Sequence, residues 1–296
     1  MNSKKVIVRV FGGIGNQLFS YSAARRLAIV NNAELVIDNI SGFSYDRVYK
    51  RSYQLDHFRV PCRKAEPWER LEPFSRIRRF ILKKFYQVMP LEKRKYLYQN
   101  GIEFCPHLLD VKISDTVYLD GYYQSEIYFK DIEEIIRSDL IIDPPSDLEN
   151  IQISNMIRNS IAVAIHYRFF DRFDDKHTKN ARKDYYLRAI AKMNQLVPNA
   201  RYFIFTDDPQ AIESLIGFNK RKFTIIANNR GDKNAYIDLW LMTLCKHFII
   251  ANSTFSWWGA WLSQNENKII IAPSMVQTGI GAWGFKGLIP RDWILI

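Results

Sequence analysis

The sequence predicts an α/β protein of two domains, each a parallel sheet covered by helices, and three observations predict it. Short apolar runs alternate with helix-period stretches along the chain. That alternation starts twice, at Val6 and again at Ile161, on either side of Asp143-Pro144-Pro145-Ser146-Asp147, which reads as a linker. A chain of 296 residues is also the length of two domains of about 150 residues each. The domains are therefore expected at residues 1–145 and 146–296, with a cleft between them.

In the first half, Val6-Ile7-Val8-Arg9-Val10-Phe11 reads as a strand. A glycine turn follows, then a helix from Leu18 to about Val30 and a strand over 34–38, so the chain opens as βαβ. Residues 116–119 make another strand and 132–140 a helix. In the second half strands are expected at 161–165, 202–205, 222–226, 247–251 and 268–272. Helices are expected at 185–196, at 238–245 and from Trp258.

Three cysteines, Cys62, Cys105 and Cys245, stand far apart with no CxxC or His-spaced pattern. Neither a disulfide framework nor a structural zinc is expected, and a reducing cytoplasm fits. No signal-peptide core follows Met1, and no apolar run of about 18 residues occurs. The formal charge of +11 leaves anionic partners open. No nucleic-acid reading motif accompanies it, so that partner is not expected.

The charge is unevenly placed. Residues 63–95 carry eleven Lys and Arg against four Glu. Within them, Phe74, Ile77, Ile81, Phe85 and Val88 fall on one face of a helix over about 74–88, with Arg76, Arg79 and Lys83 opposite. Two readings stand: a surface helix whose apolar stripe packs on the core, or an amphipathic helix lying on an anionic bilayer at the inner membrane face.

In open parallel sheets ligands sit beyond the carboxyl ends of strands. Four such loops carry chemistry. Gly12-Gly13-Ile14-Gly15-Asn16-Gln17 allows close backbone approach ahead of a helix start, where an anion can bind. As a dinucleotide fingerprint it lacks the third glycine, although Asp38 stands where a ribose-binding acid would. His166-Tyr167-Arg168-Phe169-Phe170-Asp171 offers an imidazole, a phosphate clamp and a carboxylate, or a surface ion pair. Thr206-Asp207-Asp208-Pro209 offers two carboxylates, or a helix cap. Asn252-Ser253-Thr254-Phe255-Ser256-Trp257-Trp258 places hydroxyls at a helix start, or simply packs tryptophans.

The glycine loop through Leu18-Phe19-Ser20-Tyr21, the segment Gly121-Tyr122-Tyr123-Gln124-Ser125-Glu126, Phe205-Thr206-Asp207-Asp208, and the stretch from Asp238 through Trp261-Leu262 closely resemble bacterial α1,2-fucosyltransferases of glycosyltransferase family 11. The resemblance spans nearly the whole chain in order. One block departs from the family pattern His-x-Arg-Arg-x-Asp, because Phe169 replaces its second arginine.

The resemblance implies a GT-B fold of two Rossmann-like domains whose parallel sheets face across a cleft. It implies GDP-fucose as donor, inversion at the anomeric carbon, and no metal or other cofactor. No two aspartates stand two positions apart, so the DxD metal-diphosphate signature is absent. By the same resemblance Arg168 contacts the donor pyrophosphate, and His166 with Asp207 or Asp208 holds the guanosine. Gly13, Asn16 and Gln17 face the sugar phosphate, and Asn252, Ser253, Thr254 and Ser256 join Arg168 in stabilising the departing GDP. Asp171 is the candidate base, with Asp174 and Asp175 as nearby substitutes. The acceptor is expected to be a galactose-terminated oligosaccharide of O-antigen type, lipid-linked in one version, held by Tyr122, Tyr123 and Gln124. Rival readings are transfer from another GDP-sugar, motivated by Phe169, a nicotinamide oxidoreductase, and a non-catalytic glycan- or membrane-binding protein.

Overall fold

Val6, Ile7 and Val8 are apolar on both faces of their strand and are buried on both, the mark of a strand inside a parallel sheet rather than at its edge. In the computed structural model, which describes residues 4–47, 49–168, 180–210, 212, 222–279 and 282–296, this strand is β1 (Lys5–Arg9). It leads into α1 (Ile14–Val30) and β2 (Glu34–Asp38). There follow β3 (Arg63–Lys64), α2 (Ser75–Gln87), β4 (Tyr96–Tyr98), β5 (Thr116–Asp120) and α3 (Glu133–Asp139). The sheet runs β3-β2-β1-β5-β4 and every pairing is parallel. Arg9 therefore stands opposite Asp38 on one side and Asp120 on the other.

The second sheet is likewise parallel throughout, in the order β11-β10-β9-β6-β7-β8. Its elements are α4 (Leu148–Arg158), β6 (Ala162–Tyr167), α5 (Lys183–Leu196), β7 (Arg201–Thr206) and β8 (Phe223–Ile226). Then come α6 (Ala235–Thr243), β9 (His247–Ile249), α7 (Thr254–Leu262), β10 (Ile270–Ala272) and β11 (Ile294–Leu295). All six residues of β6 are buried.

The chain divides into two compact units. One runs to Ile141 and takes in Lys286–Leu288; the other holds Ile142–Phe285 and Ile289–Ile296. The proline pair lies just inside the second unit, where Asp147 caps α4 by accepting from the Asn150 amide at 2.9 Å.

Helix α2 departs from the first of its two sequence readings. Its inward face is Arg79, Leu82 and Tyr86, the last two packed on Ile7, Val36 and Tyr96. The expected apolar stripe faces solvent instead. Lys83, expected outside, lays its ammonium 3.4 Å from the centre of the Tyr98 ring. The long stems of arginine and lysine pack as well as leucine does, so they line the inner face of the helix.

Candidate functional site

In the second unit the chain order reverses at β6, which has β7 on one side and β9 on the other. That is the topological switch point, where the loops after neighbouring strands part and leave a crevice. The loops after β6 and β9 carry two of the sequence-selected blocks. His166, the fifth residue of β6, is buried, and the Phe255 ring from the first turn of α7 lies 5.2 Å from its own. Burial, then the like charge of Arg168, pushes the imidazole down to about 3, so the ring is neutral at pH 7. Its Nδ1 is buried without a hydrogen-bond partner among the described residues. Tyr186 fixes this strand end by donating its hydroxyl to the His166 carbonyl at 3.1 Å.

Arg168 follows at the mouth of β6, partly buried. Phe169, Asp171, Asp174 and Asp175 lie outside the described residues. Asp207 and Asp208 follow β7, with Asp207 exposed and the Asp208 amide donating to the Thr206 hydroxyl at 3.1 Å. The Asn252 side chain accepts from the Ala181 amide at 3.0 Å, which ties the loop after β9 to the approach of α5. Ser253 is the N-cap of α7 and makes no side-chain cap bond. Thr254, half-buried, opens the helix, whose first-turn amides have no acceptor within it. Ser256 has no exposed surface, and its hydroxyl donates back to the Ser253 carbonyl at 3.2 Å. Its hydroxyl is engaged within the helix, because the same 3.6-residue turn that brings Thr254 to the open end points Ser256 inward.

In the first unit the switch point lies between β1 and β5. Gly12 has a positive φ of 76°, and Gly13 is the extended N-cap of α1. The Gln124 amide donates to the Asn16 carboxamide at 2.8 Å, and the Phe11 and Tyr122 rings lie 4.3 Å apart. The fold thus brings Gly13, Asn16, Tyr122 and Gln124 together. Gln17 and Tyr123, assigned from the sequence to ligand contacts, are not among them. Gln17 is fully buried; its amide donates to the carbonyls of Gly12 and Ser52 and its Oε1 accepts from the Gln54 amide. Tyr123 is buried edge-on to Tyr128, with its hydroxyl on the Leu97 carbonyl at 3.0 Å. Both residues staple loops to the core, since a polar group buried at a loop base must find a protein partner.

Three charged positions emerge only from the fold. Arg51 lies alongside the glycine turn, its guanidinium carbon 3.9 Å from where a Gly13 Cβ would stand. Arg9 pairs with Asp120 at 3.0 Å beneath the same loops, and Tyr96 donates to the other Asp120 oxygen. Asp238 in α6 accepts from Asn229 at 2.8 Å, and burial pushes its carboxyl up to about 7 against the pull of that bond. The available signals were a charge inside an apolar strand at Arg9 and an acid inside an apolar helix at Asp238. Arg51 left none, because it lies on an irregular segment.

Two Rossmann-like units of parallel sheet, each with a ligand-type loop pair at its switch point, define the GT-B class of glycosyltransferases. Solved structures of that class match over most of the chain. They include NodZ α-1,6-fucosyltransferase soaked with GDP-fucose, with a TM-score of 0.53 and 16% identity over 88% of this chain and 93% of that one. A mutant of Arabidopsis thaliana FUT1 in complex with GDP matches with a TM-score of 0.55 and 12% identity over 95% of this chain and 72% of that one. The particular family follows from the sequence profile of glycosyl transferase family 11, which matches residues 71–281; the chain belongs to that family. Its relatives include the Escherichia coli α-1,2-colitosyltransferase, 27% identical over 91% of each chain. The Escherichia coli O-antigen biosynthesis glycosyltransferase WbnK is 26% identical over 88% of this chain and 91% of its own.

Proposed function

We propose that this family 11 enzyme transfers L-fucose from GDP-fucose to the 2-hydroxyl of a terminal galactose in an O-antigen-like glycan, with inversion and without a metal. The observation that carries the reading is the pairing of neutral, buried His166 with Arg168 at the mouth of β6, beside the start of α7. A neutral ring at this strand mouth neither repels nor traps the charge of a nucleotide bound beside it. Arg168 supplies the fixed cation for the diphosphate, and the α7 amides add a second source of positive potential. As the bond to the sugar breaks, negative charge grows on GDP, and donors already in place stabilise it without reorganising.

The acceptor oxygen attacks the face opposite GDP, and its proton passes to Asp171, the carboxylate three residues beyond Arg168. Tyr122 of the first unit, only partly buried, offers an aromatic face to the acceptor sugar, and the buried Gln124 acts through Asn16, whose side chain its amide holds at 2.8 Å. A second reading, transfer of a different sugar from GDP, is favoured by Phe169 and by the colitose-transferring relative.

Calorimetry of GDP, GDP-fucose, GDP-colitose and GDP-mannose, with GDP release followed in the presence of lactose, tests both readings. The fucose reading expects GDP-fucose to bind, and GDP to be released only when acceptor is present. Arg168→Ala removes a charge-assisted contact and lowers affinity by about 2 kcal/mol, roughly 30-fold. Turnover of GDP-colitose with GDP-fucose inert replaces the first reading by the second. Binding of no GDP species defeats both.

A further inference from the structure

Helix α2 carries an apolar face that stays exposed among the described residues. Phe74, Ile77, Phe80, Ile81, Phe85 and Val88 are all more than half exposed, Val88 to 85%. At 100° per residue they occupy one continuous side, with the exposed Lys84 among them and Arg76 and Arg78 on its flanks. Trp68, 70% exposed, lies just ahead of the helix in the chain. A soluble protein rarely leaves so many large apolar side chains together in water. This patch is also not a spare part of the core, because the opposite face of the same helix, Arg79, Leu82 and Tyr86, already fills that role.

The charge pattern selects the occupant. Helix α2 contains no acidic residue. Of the nearby acids, Glu69 is bound by Arg63 and Lys5, and Glu72 by Arg70, so they do not offset the cations of the face. Two copies meeting through this face would set Lys84, Arg76 and Arg78 against their own kind. An anionic lipid surface satisfies both halves at once, taking the apolar side chains among its acyl chains and the cations at its headgroups. No helix among the described residues is long and apolar enough to cross a membrane. We propose that α2 is an in-plane membrane-docking helix that holds the protein on an anionic bilayer surface.

Co-sedimentation of the full chain with phosphatidylcholine vesicles, with and without phosphatidylglycerol, at low and high salt, tests this. The apolar variant carries Ile77→Ser, Ile81→Ser and Phe85→Ser; the charge variant carries Arg76→Gln, Arg78→Gln and Lys84→Gln. Since all six side chains are exposed, both variants keep the wild-type melting temperature. Wild type sediments with anionic vesicles and is released by salt. The charge variant loses about a hundredfold in partitioning at low salt, and the apolar variant at least about tenfold. The proposal is overturned if wild type stays in the supernatant, or if both variants sediment as wild type does. It is equally overturned if wild type forms lipid-independent dimers that the apolar variant abolishes.

Discussion

His166 is the residue whose environment most constrains the chemistry. With its imidazole held near pKa 3 by burial and Arg168, it carries no proton to lose between pH 5 and 8. GDP affinity is therefore expected to show no titration in that range that His166→Asn removes; calorimetry at pH 5, 6.5 and 8 checks it. Asp238 behaves in the opposite sense. Its folded-state value, about 7, stands above the ordinary 3.8, so the folded protein holds the proton more tightly than the unfolded chain does. The contribution is fully present below about pH 4 and is lost as pH rises through 7, roughly 2–4 kcal/mol in all. Urea titrations of wild type should show that decline, and those of Asp238→Asn should not; parallel curves for the two proteins would refute the assignment. Gln17→Ala leaves the Gln54 amide and the Gly12 and Ser52 carbonyls without their partner and is expected to cost about 2–3 kcal/mol, read as a lower urea midpoint with an unchanged slope.

Among the elements, the turn after β2 passes so close to β1 that a Cβ on Gly42 would collide with the Val10 carbonyl and the Phe11 side chain. Both partners belong to the glycine loop's approach, and a carbonyl cannot move aside as a flexible side chain can. Gly42→Ala is expected to lower stability by about 1–3 kcal/mol, visible as a lower thermal midpoint; an unchanged midpoint would mean that the turn has slack. Element legibility followed length and periodicity. Strand β2 was found with its observed bounds, and β6 and β7 to within two residues at each end. Strands β3 and β11 are two residues long and β4 three, too short to show an alternation. They exist because a longer parallel neighbour offers them free backbone partners. Helix α4 escaped notice because its first turns sit directly behind the proline pair read as linker. The apolar stripe of α2 is plain from its spacing, yet it faces solvent while Leu82 and Tyr86 pack on the core. Periodicity identifies a face; only packing says which way it points.

At the scale of the molecule, each unit has its own sheet and its own buried core. Six of the seven tryptophans, Trp240, Trp257, Trp258, Trp261, Trp283 and Trp293, belong to the second unit and are buried, whereas Trp68 of the first is largely exposed. Tryptophan emission therefore reports unfolding of the second unit, and far-UV dichroism reports both. If GDP binds at the mouth of β6, a hundredfold excess over Kd stabilises that unit by about 2.7 kcal/mol. The fluorescence midpoint then rises with GDP in wild type and by only about a third as much in Arg168→Ala, whose roughly 30-fold weaker binding leaves about 0.9 kcal/mol of stabilisation at the same GDP concentration. A GDP-dependent rise in the Arg168→Ala fluorescence midpoint as large as that of wild type would remove Arg168 from the site.

The α/β class, the doubled strand-helix alternation, the four strand-end loops and the family are legible from residue order alone, because they rest on local periodicity and on contiguous blocks such as Asn252–Leu262. Which polar groups of those blocks are engaged within the protein shows only in the tertiary structure. Gln17, Tyr123 and Ser256 carry the right chemistry in the right loops, yet their hydrogen-bonding groups are spent on the protein's own backbone. Arg51, and Asp120 as the partner of Arg9, come to the glycine loop from segments far away in the chain. A polar side chain binds a ligand only where the fold leaves its donors and acceptors unspent at a surface. That condition depends on neighbours distant in sequence, and no motif encodes it.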